Sequence, residues 1–503
     1  MPEPETVQYI RSRLGRPEDL VVRPVFRARP GRSARAPSCW VLFLKGMADT
    51  RVIARNVVRP LVLGLPLQAG DGGGAGGVFV SQVQAVLDPE EAVLRILDGW
   101  TAVVGLPGTG PIWVADTSGR PGRTVEEPQS ETGVRVPREG FTEMLETNLA
   151  LVRTRIRHPH LRVEMRRVGT RSRTRLALIY VEGVAEPDLV QLVRQRLQGV
   201  TIDSVLESGY VEEFIEDSPY SPFPQTLRTE RPDVVAANVL EGHFAILVDG
   251  TPFALIGPVT FWQLLTVEED YYERFIIGSL LRLLRIGAFL ISLMLPGLYV
   301  AVTTHHQEMI PTDLLLSIAA AREGVPFPAL VEALVMELNF ELLREAGLRL
   351  PRAVGSAVSI VGALVLGQAA ISASLVSPAM VIVVAITAIG SFATPVFSMA
   401  IAARIIRFGF VLAAAVMGLF GVQAVAVLVL IHLCALRSFG VPYLAPVAPT
   451  VLGDWRDLVL RAPWWAMRGR PRFLGPPDPA RRPLAGGAQG LRTGSRAAEG
   501  QQV

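Results

Sequence analysis

Lysine is almost absent from this 503-residue chain, and aspartate nearly vanishes from one part of it. Lys45 is the only lysine, so arginine carries nearly all of the basic charge. Between residues 286 and 436 there is no lysine, and Asp313 is the only aspartate. The net charge of +3 is too small to predict a nucleic-acid partner. A continuous region so poor in lysine and aspartate is expected to lie in the lipid bilayer rather than in water.

The sequence also lacks the residue clusters that catalysis or metal binding would need. Cys39 and Cys434 lie far apart, which excludes a disulfide framework and a cysteine metal site. Four of the six histidines form two neighbouring pairs, His158/His160 and His305/His306, with no cysteine or acidic ligand set beside them, and the other two stand alone. The glycine-rich stretch 70–77 lacks the Lys-Ser/Thr of a phosphate-binding loop. We therefore expect no catalytic site, no metal, no cofactor and no enzyme activity.

Long apolar runs take the place of charge in the second half. Each reaches or approaches the roughly 18–20 residues that cross a bilayer. They cover 286–302, 354–375, 379–403 and 408–436. The first twenty residues contain no apolar core, so we expect no signal peptide and a front half on the cytoplasmic side. The chain is predicted to be a multi-pass membrane protein.

The front half is predicted to be α/β and internally duplicated. Residues 43–49 (FLKGMAD) align with 180–186 (YVEGVAE), and 97–104 align with 240–247. The two offsets, 137 and 143, are close enough for one duplication with small insertions. Strands are expected at 161–168 and 174–181.

These patterns give a fold class, an α/β N-terminal region of two duplicated subdomains followed by an all-α polytopic membrane domain. The predicted segments are a disordered N-terminus (1–38), two α/β subdomains (39–130 and 131–260), an amphipathic lead-in (261–285), the helical transmembrane domain (286–436) and a basic, Pro/Gly-rich tail (437–503).

Arginine clusters predict the topology of the membrane domain. By the positive-inside rule, Arg282/Arg285, Arg349/Arg352 and Arg404/Arg407 are all expected on the cytoplasmic side. The run 408–436 is then either one tilted crossing or a hairpin bent at Gly418–Gly421, and the sequence leaves both open. The chain must also return between 307 and 348, where a helix over 326–347 is expected.

That return helix carries the candidate functional residues. Glu337, Glu341 and Glu345 are spaced by four and fall on one helix face, while Glu332 points about 140° away from Glu337. Gln368 lies inside the second apolar run and needs a polar partner. An acidic stripe at membrane depth suits a cation path. The alternative is an amphipathic helix that lies in the interface with its acids in water.

Ordered motifs between 134 and 463 resemble the spore germination GerA family, A-subunit type. They include 137–143 (PREGFTE), 221–224 (SPFP), 269–274 (EDYYER), 376–381 (VSPAMV) and 437–443 (RSFGVPY). The first 130 residues resemble the family loosely, and the arginine-rich tail departs from it. A relative of the A subunits that is encoded in the SpoVA operon fits the same motifs.

The resemblance implies a subunit of a nutrient germinant receptor in the inner membrane of an endospore, with its N-terminal domain facing the spore core. It implies homo-oligomerisation into a monovalent-cation channel, with a transporter-like B subunit and a lipoprotein C subunit as partners. The competing hypothesis is a membrane scaffold that conducts nothing and relays a signal. The germinant, the ion and the oligomer number are not predicted.

Overall fold

The computed structural model describes residues 3–15, 17–27, 37–63, 80, 82–105, 110–119, 128, 131, 133, 135–349 and 367–481. The chain forms two compact units. The first combines residues 1–217, 226–258 and 463–503, and the second combines 218–225 and 259–462. The glycine-rich stretch 70–77, residues 354–366 of the second apolar run and tail residues 482–503 lie outside the described residues.

The first unit begins with a five-stranded antiparallel sheet in the order β1-β2-β4-β5-β3. Its elements are α1 (Glu5–Arg13), β1 (Leu20–Val25), β2 (Cys39–Leu44), α2 (Thr50–Val52), a π-helical turn (Ile53–Val58), α3 (Arg59–Leu63), β3 (Val83–Val86), α4 (Pro89–Leu97), β4 (Thr101–Gly105) and β5 (Ile112–Ala115). β1 pairs with β2 from Leu20–Leu44 to Val25–Cys39.

A second antiparallel sheet follows in the order β6-β7-β9-β10-β8. Its elements are α5 (Leu145–Arg155), β6 (Leu161–Val168), β7 (Thr174–Val181), α6 (Pro187–Gln198), α7 (Ser208–Ile215), β8 (Leu227–Thr229), α8 (Pro232–Glu241), β9 (Phe244–Val248) and β10 (Ala254–Gly257). The bounds of β6 and β7 confirm the two predicted strands. The strand order equals that of the first sheet when the strands are renumbered from one to five, as a duplication requires.

The backbone repeats the same details in both sheets. Lys45 donates its N–H to the oxygen of Asp19, and Glu182 donates to His160 in the same way. The turn glycines Gly46 and Gly183 have φ values of 85° and 82°. This left-handed conformation is open to glycine at little cost. The two regions that we name the first repeat (residues 5–115) and the second repeat (145–257) therefore have one topology.

Alternation along the strands builds a core on both faces of the first sheet. Trp40, Leu42 and Leu44 of β2 pack with α1 and α4, while Val41 and Phe43 pack on the other face with the π-helical turn. Successive strand side chains point to opposite faces, so a fully apolar strand needs cover on both. This arrangement explains why β2 is buried along its whole length.

The N-terminal segment is more ordered than the sequence predicted, and the described part of the tail packs on the first unit. Residues 1–38 were expected to be disordered, but they contain α1 and the edge strand β1, so the subdomain boundary at 39 is wrong. The tail packs on the second repeat, because Arg481 pairs with Glu241 at 2.7 Å and Arg470 donates to the backbone oxygen of Leu240. Both segments are rich in arginine and proline, and their few buried apolar residues are too sparse to form a recognisable periodic pattern.

The second unit is helical. Its main helices are α9 (Glu269–Tyr272), α10 (Phe275–Thr304), α11 (Thr312–Arg322), α12 (Ala329–Arg349), α13 (Pro378–Phe392) and α14 (Phe397–Ala435). Among the described residues, α10 and α14 are the two helices long and apolar enough to cross a bilayer, and α13 is a shorter apolar helix. The predicted apolar run 379–403 is broken between α13 and α14, so its last residues begin a new helix.

Helix α14 is bent back on itself at Gly418, where φ is 60° and ψ is −141°. Before the bend it runs along α10, and a Cβ on Gly297 would lie 3.1 Å from the backbone of Phe410. After the bend the chain returns to the start of α10, because Phe261 donates its N–H to the oxygen of Tyr443 at 2.8 Å. Of the two alternatives for residues 408–436, the structure has the bent hairpin.

Candidate functional site

The centre of the candidate site is an ion pair buried between α12 and α14. Arg407 Nη1 donates to Glu337 Oε2 at 2.6 Å, and both side chains are 2% exposed. Arg407 Nε also donates to the backbone oxygen of Ser292 in α10 at 2.6 Å. One guanidinium therefore connects three helices of the second unit.

A second pair lies one helical turn away. Arg404 Nη1 donates to Glu341 Oε2 at 2.7 Å, and these side chains are 11% and 25% exposed. Glu337 and Glu341 are four residues apart and Arg404 and Arg407 three apart, so each couple occupies one face of its helix. We name these four residues the ion-pair ladder. It grows more exposed from Glu337 towards Glu341.

The other predicted site residues do not join the ladder. Glu332 is fully buried, accepts a hydrogen bond from Ser377 Oγ at 2.8 Å and lies 3.5 Å from Arg322. Glu345 continues the acidic face of α12 but is exposed. Gln368 is exposed on the helical stretch 367–372. The structure thus brings Glu337 and Glu341 together and leaves Glu332, Glu345 and Gln368 apart from them.

The ladder has polar atoms that the described residues leave unsatisfied. They are Oε1 of Glu337, Oε1 of Glu341 and Nη2 of Arg404 and Arg407, all buried without a hydrogen-bond partner among the described residues. An unpaired buried polar atom costs about 1–3 kcal/mol, and more when it is charged. The ladder is therefore a line of polar groups between apolar helices, with atoms left that could each accept or donate a further hydrogen bond.

The sequence missed the arginine half of the ladder. Arg404 and Arg407 were predicted only as a cytoplasmic cluster that follows the third apolar run, and the structure places both inside α14 and buried. The positive-inside rule counts charges and cannot detect a partner 63 or 70 residues away. The signal that could have found them is the matching spacing of about one helical turn in the acids and in the arginines.

A second charged cluster lies at the start of α10. Asp270 contacts both Arg282 and Arg285, and Arg282 Nη1 donates to Asp457 Oδ1 at 3.0 Å. Tyr271 donates its hydroxyl to Asp457 Oδ2 at 2.7 Å, and burial raises the pKa of this phenol. Arg282, which belongs to the predicted amphipathic lead-in, is fully buried, and these carboxylates compensate its charge. The cluster fastens the segment after α14 to the base of α10.

Within the described ranges, no group of three or more His, Cys, Asp or Glu side chains could hold a metal ion. The ladder pairs each carboxylate with an arginine rather than with a nucleophile or a second acid. Its geometry suits charge compensation at depth between helices and offers no acid–base pair of the kind that hydrolysis uses.

Comparison with known proteins places these features in a family. A family model described as "Bacillus/Clostridium GerA spore germination protein" matches residues 8–473. The chain is 45% identical over 489 residues to "Spore germination protein KA" of Bacillus subtilis (strain 168), which covers 95% of this chain and 87% of that one. It is 40% identical over 501 residues to "Spore germination protein GerLA" of Bacillus cereus, with 95% and 97% covered.

Two further similarities concern a membrane protein and a solved structure. The chain is 44% identical over 434 residues to "Uncharacterized membrane protein YfkQ" of Bacillus subtilis (strain 168), covering 86% of this chain and 84% of that one. It is similar to the N-terminal domain of the A subunit of the Bacillus megaterium spore germinant receptor GerK3, with a TM-score of 0.37, 29% identity, and 51% of this chain and 94% of that one covered. The family match spans nearly the whole chain, and the chain belongs to the GerA family of spore germination proteins.

Proposed function

We propose that this protein is a polytopic membrane subunit of a spore germinant receptor, and that copies of it assemble into a cation channel that opens in response to germinants. Family membership supports the role in germination. The apolar helices α10, α13 and α14 support membrane insertion, since the bend at Gly418 divides α14 into two halves of about 20 residues, each near the length of a crossing.

The observation that carries the channel proposal is the ion-pair ladder. Carboxylates at membrane depth are costly and usually mark a path for ions or protons. Here Glu337 and Glu341 lie on one face of α12, and the Oε1 atom of each has no hydrogen-bond partner among the described residues. Water along that face would satisfy these oxygens and give a cation a route past the apolar helices.

The ladder also suggests how the path is closed. Arg404 and Arg407 neutralise the two carboxylates, so a cation beside Glu337 meets no net attraction. A movement of α12 away from α14 would free the carboxylates to face the path. A germinant signal would then have to favour the separated arrangement over the paired one. In this proposal the paired ladder is the closed state.

Orientation and partners complete the proposal. The chain returns from α14 to the start of α10, so both ends of the helical region lie on one side, which we assign to the spore core. The protein would sit in the spore inner membrane with a transporter-like B subunit and a lipoprotein C subunit as partners. The relatives named as spore germination proteins support a role of this kind in the spore.

The test is potassium release from spores that carry Glu337→Gln and Glu341→Gln together. We expect release to fall strongly at unchanged protein abundance, because local cation concentration in a narrow low-dielectric passage depends on the carboxylates. Glu345→Gln is the matched control, since Glu345 lies on the same helix face but is exposed. Wild-type release from the double variant at wild-type abundance on an immunoblot would falsify the path along α12.

The second candidate function is a non-conducting scaffold that relays a signal. The buried Glu337–Arg407 pair favours it, because an ion pair between two helices can also have a purely structural role. Purified full-length chain in potassium-loaded liposomes separates the two hypotheses, with and without the B and C subunits. A scaffold leaves the potassium inside under every condition.

A further inference from the structure

Residues 452–461 follow α14 and run along the first turns of α10, and we name them the anchor segment. Arg282 Nη1 donates to the backbone oxygen of Asp457 at 2.9 Å. Ser279 Oγ accepts the N–H of Arg461 at 3.0 Å and donates to its backbone oxygen at 3.3 Å. The segment therefore covers one face of α10, the face that carries Ser279 and Arg282.

The polarity of the anchor segment is the reverse of that expected for a surface in water. Two of its four charged side chains are turned towards α10, where Asp457 pairs with Arg282 and Arg461 is buried. Three of its large apolar side chains are turned outwards instead. They are Leu452, Trp455 and Leu460, with exposed fractions of 74%, 45% and 61%. Apolar side chains exposed together in this way are expected where a further apolar surrounding covers them.

The uncovered surface of α10 beside the segment is also apolar. Between residues 275 and 284, every side chain outside the covered face is large, apolar and at least 40% exposed. From Ile276 to Leu284 these side chains span about 160° of the helix surface, at about 100° per residue. The exposed stripe continues into the apolar run 286–302 through Ile277, Leu280, Leu284 and Ile291. The outer surface of this region is therefore continuous with the part of α10 that the proposed function places in the bilayer.

The length of α10 gives the depth of this surface. The helix has 30 residues and is about 45 Å long, which matches a bilayer together with its headgroup layers, about 40–45 Å. The first turns of α10 and the segment beside them then lie in the headgroup layer. The backbone of the segment is irregular after the short 3-10 helix Leu452–Asp457, and a lipid-facing irregular backbone is excluded from the hydrocarbon core. Both features agree on the same depth.

The chemistry of the outer surface fits lipid rather than a second protein. Tryptophan is enriched at the membrane interface. The indole N–H of Trp455 donates to the backbone oxygen of Pro446 at 3.1 Å, so the exposed part of the ring has no hydrogen bond left to donate. Asp454 and Arg456, the other charged residues of the segment, have opposite signs. An arc as wide as that on α10 suits a fluid surrounding, whereas a packed helix fills one groove.

We propose that the anchor segment and residues 275–284 of α10 form one surface that lies in the interfacial layer of the membrane, with Leu452, Trp455 and Leu460 inserted among the lipids. The partner is the bilayer itself, bound through burial of apolar surface. This inference rests on the proposed membrane insertion and goes beyond it, because the anchor segment lies outside every predicted span. It gives the chain after α14 a part in fixing the depth of α10.

The test uses quenchers carried by the lipids, with the full-length chain in phosphatidylcholine vesicles. Every variant carries Cys434→Ser, because Cys434 is exposed and Cys39 is buried. A small environment-sensitive fluorophore is attached to Leu452→Cys or, independently, to Leu460→Cys. A nitroxide near the lipid headgroup should quench it several-fold more strongly than a nitroxide near the end of the acyl chain. Leu290→Cys is the matched control and should show the opposite preference, since Leu290 is 49% exposed in the middle of α10.

Two outcomes at the anchor segment would overturn the proposal. A label that aqueous iodide quenches, and that neither lipid quenches, would show that this surface lies in water. A label shielded from iodide and from both lipids, with an emission that changes when the vesicles hold less protein, would show that a second copy covers it. Quenching at Leu290→Cys without quenching at Leu452→Cys and Leu460→Cys removes this interface alone. Loss of lipid quenching at Leu290→Cys as well would contradict the membrane insertion on which the proposed function rests.

Discussion

The two units bury arginine–carboxylate pairs in opposite ways. In the first unit, Arg153 binds Asp19 through two parallel contacts, Nε to Oδ2 at 2.5 Å and Nη2 to Oδ1 at 2.9 Å. In the second unit, Arg407 donates one hydrogen bond to Glu337, at 2.6 Å, and its Nε donates to the backbone oxygen of Ser292 instead. The first carboxylate is satisfied on both oxygens, while Glu337 Oε1 has no hydrogen-bond partner among the described residues.

This difference is the one expected between a purely structural ion pair and the ion path that we propose along α12. A bidentate pair combines energy with fixed geometry, which suits the junction between two repeats. A single contact with buried atoms left over is a poor way to hold helices together, because each such atom costs free energy. Buried groups that stabilise poorly are expected where the protein needs a second state. The four predictions below test that contrast, from the largest effect to the smallest.

Arg153→Ala should destabilise the folded chain by about 3–5 kcal/mol, because it leaves Asp19 buried and unpaired. The measurement is urea-induced unfolding of the full-length chain in detergent, followed by proteolysis. Arg157→Ala is the control, since its pair with Asp98 is exposed and should contribute about 1 kcal/mol or less. Equal losses in the two variants would mean that the junction pair is no stronger than a surface pair.

His243 tests whether the first unit tolerates a fully buried titratable group. Burial lowers the pKa of His243 to about 4, although the hydrogen bond between its Nδ1 and the oxygen of Pro258 opposes the shift. The unfolded state binds a proton below a pH of about 6.5 and the folded state does not. Stability is therefore complete above that pH and falls by about 3 kcal/mol as the pH drops towards 4.

The matched variant is His243→Phe, which cannot titrate. The unfolding free energy of the parent chain and the variant should be measured at pH 7 and pH 4.5. We expect the parent to lose more stability than the variant over this interval, because carboxylates titrate equally in both chains. A parallel decline in the two chains would show that His243 is not held neutral in the folded state.

Arg407→Lys should cost about 2 kcal/mol, because a single ammonium nitrogen cannot keep both the contact to Ser292 and the contact to Glu337. Thermal stability in detergent is the readout. Arg404→Lys should cost less, since the second hydrogen bond of Arg404 goes to Ala400 within its own helix. A larger loss from Arg404→Lys would indicate that the exposed end of the ladder, and not its buried end, holds α12 to α14.

Ser377→Ala should cost about 1 kcal/mol, the smallest of the four effects. The Ser377 hydroxyl caps α13 by accepting from the N–H of Met380 and also donates to Glu332. Ser317→Ala is the control, because its exposed hydroxyl bonds only to Asp313 of its own helix. The same thermal measurement applies. A neutral Ser377→Ala would show that Arg322 and the backbone N–H of residue 377 are enough to hold Glu332.

The α/β region could be predicted where its local signals agreed. β6 and β7 combine strand-forming residues with a glycine turn, and the repeat of FLKGMAD as YVEGVAE pointed to the shared topology. Helix α1 was missed because Val7, Ile10 and Leu14 are its only buried apolar side chains, set among charged residues and prolines. Three anchors over two turns fall short of a periodic pattern, and only the sheet beneath them gives them cover.

In the candidate site the acids were predictable and their partners were not. Glu337 and Glu341 follow a helical period, which is a local property of the sequence. Their pairing with Arg407 and Arg404 depends on the packing of α12 against α14, which no local pattern encodes. The bend at Gly418 was half predictable, since the glycine marked a place to turn but not whether the chain turned there.

The scarcity of lysine has a practical consequence at the junction of the repeats. Lys45 sits at the turn that α5 covers, with its Nζ 3.6 Å from Glu146 and its side chain 54% exposed. An amine-reactive dye can therefore attach to one side chain of the whole protein, apart from the terminal amine. Its emission would report on the contact between the two repeats without any engineered label, in purified protein and in intact membranes alike.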